Sequence, residues 1–346
     1  MIEFANLSRY RSELMGVAMI AIILFHIPLG RADAFFGLHR LGNVGVDIFF
    51  FLSGMGLWFA WGKRGEFLPF YHRRFARLMP AWLVMASLFY VPDFLGPRKY
   101  SPTLPNLLGD ITLNLDFWRY DELTFWYIPA IMAFYLMAPF YMELIRRYPL
   151  YRWLPVLAVM WCVCVQWVVP VHQAVGHLEI FWSRVPIFFI GINIGSLVQE
   201  KQKLDRSALW LLLLFFVASF AACLYLEQVR HGKFPLFAER MLYIPMTVSA
   251  LLLLGRLFES VAAHWPHHAS WLLRPLAFVG TISLETYLIH VHFVMKPIAQ
   301  YHLGYWPTFL LTVVISLPLA WLLHQLTKPI VNFLSPHQSK SVNRKS

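Results

Sequence analysis

Four ionisable side chains interrupt long apolar runs. His26 breaks MGVAMIAIILFHI, Asp47 opens GVDIFFFLSG, and GTISLETYLIHVH carries Glu285 and His290. An imidazole titrates near neutral pH and can take a proton from a hydroxyl. A carboxylate can fix its tautomer and balance the charge that develops. The acidic residue nearest to His26 on its own run, Glu13, is thirteen residues away, about 20 Å along a helix. Partners for His26 must therefore come from other segments. Asp47 is a candidate to orient it from the next run, with Phe51 and Gly54 on the same helical face and Ser53 pointing elsewhere. Arg73, Arg74 and Arg77 in FYHRRFARLMP form a third constellation, whose guanidinium forks match phosphate oxygens.

Each of these also has a plainer reading. His26 can be an interhelical hydrogen-bond partner, and Asp47 a first-turn acid favoured by the helix dipole. The arginines can be a topogenic cluster at lipid headgroups. Trp126 and Tyr127 in WYIPAI are interfacial anchors or a stacking surface for a sugar ring. Arg184, at the start of a short run, either snorkels or contacts a substrate. Glu285 and His290 are an interhelical knot or support for a site; a mid-span carboxylate points first to function. His264, His267 and His268 lack a completing ligand pattern, so no metal is expected.

The surrounding sequence must hold these groups in a membrane. Of 346 residues, 59% are hydrophobic and 14% charged, and mean hydropathy is +0.56. A soluble domain of this length needs far more charge. Nucleic-acid binding is excluded despite a net charge of +11. Cys162, Cys164 and Cys223 lie in apolar runs without zinc or redox spacing and read as small hydrophobes. Residues 9–34 imitate a signal peptide, but His26 within the run and Arg31 after it favour a retained first span.

The expected fold is an all-α integral membrane protein of about ten spans, near 12–30, 46–62, 79–95, 124–144, 153–170, 184–199, 207–226, 240–258, 275–296 and 307–327. Pro186, Gly191 and Gly195 suggest that the sixth is broken or tilted. With both termini inside, 19 of the 29 basic residues fall on the inner side, which favours N-in, C-in. Residues 1–330 form one polytopic domain and 331–346 a basic, disordered cytoplasmic tail. The loop 96–123 suits a lid or rim.

These pieces arrive in a fixed order: a histidine ending the first span, GVDIFFFLSG, FYHRRFARLMP, WYIP and SLETYLIH. The order resembles the membrane-bound acyltransferase-3 family, over about residues 10–330. The resemblance implies acylation of a sugar or other hydroxyl compound at the bacterial cell surface. It also implies an acyl-CoA co-substrate, no permanently bound cofactor, and catalysis by a first-span histidine, here His26. The family's GVD-FF-SG element falls on Gly45, Asp47, Phe49, Phe50, Ser53 and Gly54, and its basic element on Arg73, Arg74, Arg77 and Pro80. One position departs: where members commonly carry an arginine eleven residues before the histidine, this chain has Met15.

The reading that follows is a multi-pass O-acyltransferase of the bacterial plasma membrane, most simply an O-acetyltransferase. It would meet membrane lipid, acyl-CoA and a cell-envelope carbohydrate. His26 and Asp47 would be catalytic, and Arg73, Arg74 and Arg77 would bind the donor. Ser53, Trp126, Arg184, Glu285 and His290 would contact substrate or support the site. Acylation of a non-carbohydrate hydroxyl is the rival within the family. A flippase for a lipid-linked sugar is the rival outside it, although no repeated halves are visible.

Overall fold

The computed structural model describes residues 2–62, 65–120 and 123–335. Residues 336–346 of the expected tail lie outside it, as do Lys63, Arg64, Lys340, Arg344 and Lys345 of the charge count. Among the described residues, seven helices are long and apolar enough to cross a membrane, or nine if each of two bent pairs is one span. The chain is thus a multi-pass membrane protein.

The first long helix, α1 (Arg11–His26), stops earlier than its apolar run. Ile27 is extended because the ring of Pro28 disfavours helical geometry in the preceding residue. At 16 residues, α1 is about 24 Å long. It runs through the core, with Leu14, Ala18, Met19 and Ile22 almost fully buried. The main helices after it are α2 (Val44–Trp61), α3 (Phe67–Leu95), α4 (Leu104–Leu113), α5 (Leu115–Tyr120), α6 (Tyr127–Arg147), α7 (Leu154–Trp167) and α8 (Val185–Gln199). Then come α9 (Arg206–Val229), α10 (Leu236–His264), α11 (Pro266–Thr281), α12 (Ser283–Ile289) and α13 (Tyr305–Leu334).

Small residues set the closest contacts, as in other helix bundles in lipid. A Cβ on Gly16 would fall 2.0 Å from the Leu276 carbonyl oxygen, and one on Gly280 1.8 Å from that of Ser12, so α1 and α11 touch backbone to backbone. Likewise Gly54 lies on the Phe188 carbonyl and Gly191 on that of Phe51, joining α2 to α8. The outer surface of α9, with Trp210, Leu211, Leu214 and Phe215 exposed, is what a lipid-facing helix presents.

Both bends bear on the site. The short sixth run is not broken at Pro186, Gly191 or Gly195: it is the continuous helix α8, and the break falls before it, where residues 169–182 meet α8 at 42°. The run at 275–296, read as one span, instead bends by 64° between α11 and α12. A π-helical turn, His290–Met295, follows α12. Such turns recur at functional sites because they re-aim side chains.

The 96–123 loop is more ordered than its composition suggests, since it contains α4 and α5. Asp93 accepts hydrogen bonds from the amides of Lys99, Tyr100 and Ser101, at 2.8–3.0 Å. α13 runs on to Leu334, so it takes in the first four residues of the expected tail. A two-stranded antiparallel ribbon pairs Ile2–Glu3 with Lys203–Leu204.

Candidate active site

α1 carries a functional group at each end. His26 is its last residue, and its imidazole meets His290 at the start of the π-helical turn. His26 Nδ1 lies 2.8 Å from the Ile22 carbonyl oxygen and 3.3 Å from His290 Nε2. His290 Nδ1 lies 3.0 Å from the carbonyl oxygens of both Thr286 and Tyr287. A carbonyl oxygen only accepts, so both Nδ1 atoms carry their proton. His290 Nε2 is then an acceptor for His26 Nδ1–H, and His26 Nε2 keeps its lone pair. That nitrogen is free to accept a proton.

The His26 ring borders a cavity of about 270 Å³, walled by Tyr100, Phe125, Trp126, Tyr287, His292 and Lys296. Tyr100 and Phe125 come from the folded loop and its end, which makes that loop a rim. Trp126, expected as an anchor or stacking surface, faces this cavity. Lys296 Nζ donates to His292 Nδ1 at 3.3 Å.

A second cavity, of about 300 Å³, lies toward the other end of α1. Arg11 and Met15 line it from α1, Ser53 from α2, Arg74 and Arg77 from α3, Glu285 and Tyr287 from α12, and His324 and Lys328 from α13. Arg74 Nε is buried with no hydrogen-bond partner among the described residues. Arg11 donates to the Leu52 carbonyl at 3.4 Å and packs its guanidinium beside Gly56, where a Cβ would stand 3.5 Å from it. Glu285 is the carboxylate of this cavity and accepts from His324 Nδ1 at 2.8 Å. The rest of its charge is basic, which is the environment an anion requires.

Two expected roles are corrected. Asp47 does not orient His26, and no hydrogen bond joins them among the described residues. Its carboxylate instead forms an ion pair with Arg184, Oδ1 to Nε 3.1 Å, both side chains buried. The reason is helical phase. Asp47, Phe51 and Gly54 share one face of α2, and Phe51 and Gly54 lie against α8, whose N-cap is Arg184. The face of α2 toward α1 is that of Gly45, where a Cβ would fall 2.4 Å from the Ala18 carbonyl. Arg184 therefore neither snorkels nor lines either cavity.

The second correction concerns the arginines. Arg74 and Arg77, three residues apart on α3, line the 300 Å³ cavity; Arg73 does not, and donates to the Ala60 carbonyl at 3.5 Å. An i, i+3 pair shares a face as an i, i+4 pair does, and packing selected the former.

Sequence reasoning missed Arg11, His324, Tyr287, His292 and Lys296 as lining residues. A signal existed for two of them. Arg11 precedes Met15 by four residues, one turn along the same face. His324 is an ionisable group inside an apolar run, the same sign that marked His26.

The family model described as "Acyltransferase domain", of the acyltransferase-3 type, matches residues 14–325. The chain belongs to this acyltransferase family. Acyltransferase MdmB of Streptomyces mycarofaciens is 30% identical over 167 residues, which are 42% of this chain and 40% of that relative. The chain thus spans less than half the length of this curated relative. No solved structure matches the chain.

Proposed function

We propose that this family member transfers an acyl group, acetyl first, from acyl-CoA to a hydroxyl of a cell-envelope carbohydrate. The observation that carries the reading is the pair of cavities along α1: a basic one at the Arg11 end, and one with an unblocked histidine nitrogen at the His26 end. The CoA phosphates would lie against Arg11, Arg74, Arg77 and Lys328. Arg11 then supplies the guanidinium missing at Met15, from one turn earlier on the same helix. The sugar would stack on the aromatic wall of Trp126, Phe125 and Tyr100.

In the reaction, His26 Nε2 takes the proton of the acceptor hydroxyl as its oxygen attacks the thioester carbon. The tetrahedral intermediate collapses with cleavage of the carbon–sulfur bond. The CoA thiolate leaves and recovers the proton from His26 Nε2. During attack the imidazolium is held through Nδ1–H by the Ile22 carbonyl and by His290 Nε2. Transfer is direct, without an acyl-enzyme. In the ten-span layout, the excess of basic residues on one side favours an inward-facing Arg11 end, and the donor would then come from the cytoplasmic side of a bacterial plasma membrane.

The test is CoA release from labelled acetyl-CoA by the full chain in nanodiscs, with envelope extract as acceptor. Wild type should release CoA and His26→Ala should not. Equal release by both would overturn the role of His26. A radiolabelled acyl-protein trapped with donor alone would overturn direct transfer.

A further inference from the structure

Tyr287 alone among the lining residues borders both cavities. Its hydroxyl accepts a hydrogen bond from the backbone N–H of Tyr127, at 3.2 Å. Tyr127 is the first residue of α6, and its N–H is one of the donors that a helix start leaves without an intrahelical partner. The ring of Tyr287 therefore caps α6 from a different helix. The start of α6 divides between the cavities: Trp126, its N-cap, lines the His26 side and Tyr127 the arginine side. The rings of Tyr127 and Tyr287 lie 5.3 Å apart, centre to centre. Tyr287 is also three residues before His290, in the segment between the 64° bend and the π-helical turn. The site thus has a partition made of one aromatic ring, latched by one hydrogen bond to a helix start.

We propose that Tyr287 is the specificity-determining residue for the acyl group: its ring forms the neck at which the thioester meets His26, and it restricts transfer to short chains. This rests on the acyltransferase reading above. The donor enters from the basic cavity and the hydroxyl waits in the other, so the thioester carbon must stand where the cavities meet. The acyl chain then has to share that space with the Tyr287 ring. An acetyl group fits beside the ring, whereas a longer chain collides with it or must displace the latch from Tyr127. The hydroxyl holds the ring in place and takes no part in proton transfer.

The experiment is a competition between acetyl-CoA and hexanoyl-CoA for the full chain in nanodiscs, with envelope extract as acceptor. Product is read as labelled acyl ester. Tyr287→Ala should raise the hexanoyl-to-acetyl ratio of kcat/KM by about 10- to 100-fold, the span that a few methylenes command in an apolar pocket. Tyr287→Phe keeps the ring and should hold the ratio within about threefold of wild type, a change worth little in binding terms. Tyr287→Trp narrows the neck and should slow acetyl transfer. It also serves as the test should the alanine variant fail to fold. An unchanged ratio in Tyr287→Ala, or wild-type acetyl transfer by Tyr287→Trp, overturns the assignment. A loss of general stability would lower both rates together and leave the ratio alone. If the wild type transfers no acyl group at all, the acyltransferase reading fails, and the partition's role in specificity with it.

Discussion

The two cavities along α1 solve opposite electrostatic problems. At the Arg11 end, Arg11, Arg74, Arg77 and Lys328 face a single carboxylate, Glu285, which is already bonded to His324. At the His26 end, no carboxylate touches the imidazole pair among the described residues; neutral carbonyls of Ile22, Thr286 and Tyr287 fix both rings. The first arrangement leaves positive charge available for an anion. The second fixes a tautomer without adding charge. A third region, the Asp47–Arg184 pair, differs from both: its opposite charges stand 3.1 Å apart and neither side chain lines a cavity, while Asp47 Oδ2 and Arg184 Nη2 are buried with no hydrogen-bond partner among the described residues. The proposed chemistry thus falls to groups that border a cavity, and the buried ion pair borders none.

That contrast can be broken most forcefully at His26. His26→Ala should lower transfer by about 10²- to 10⁴-fold, the usual worth of a general base, with acetyl-CoA binding unchanged. Equilibrium donor binding measured beside turnover checks both halves of this statement. A loss of donor affinity in the same variant would merge the two ends into one site.

Next in size is the closed pair. Asp47→Asn leaves the buried Arg184 guanidinium uncompensated, which typically costs about 3–5 kcal/mol. The variant should unfold at lower temperature in detergent, while any folded fraction keeps its affinity for acetyl-CoA. Full stability with a loss of turnover alone would return Asp47 to the chemistry.

The basic cavity comes third. Arg11→Ala and Arg74→Ala should each weaken acetyl-CoA binding by about 10- to 100-fold, as expected for one charge-assisted contact of ~1.5–3 kcal/mol. Arg73→Ala, whose side chain is turned to the Ala60 carbonyl, should change it little. Titration of the three variants with acetyl-CoA separates them, and an equal loss in all three would reject the cavity assignment.

The smallest effect is expected in the rim. Burial pushes the Asp110 carboxyl up from the ordinary range to about 6, while its bonds to the Asp116 amide and the Ser101 hydroxyl pull the other way. A carboxyl raised on folding stabilises most below its unfolded pKa, near 4, and that contribution fades as pH rises through about 6. Hydrogen-exchange protection of residues 100–120, taken relative to the intrinsic exchange rate at each pH, should therefore be greater at pH 5 than at pH 7.5, and Asp110→Asn should remove the difference. An unchanged difference in that variant would place the titrating group elsewhere.

Some residues announced themselves and some did not. His26, Asp47, Glu285 and His290 were visible because an ionisable side chain in an apolar run is costly unless something holds it. Their partnerships were not visible. His26 and His290 lie 264 positions apart and meet only because α1 packs beside the bent segment. Asp47 and the first-span histidine are near in sequence, yet the phase of α2 sends the carboxylate to α8. Arg11 was not singled out, although Met15 lies one turn later on the same face. The first span, expected to reach residue 30, stops at His26 before Ile27–Pro28, and the run expected as one span at 275–296 bends at Ile282.

What the sequence alone determined follows from solvent. Apolar run lengths, the scarcity of charge and the order of motifs define a multi-pass membrane chain of the acyltransferase family, because transfer of each segment from water to lipid is a local property. The tertiary structure decided which polar groups meet. That choice depends on interhelical contacts at Gly16, Gly45, Gly54 and Gly280, where the missing Cβ lets backbones touch and so fixes rotation about each helix axis. Rotation then assigned Asp47 to Arg184 and His26 to His290, and put Tyr287 between the two cavities.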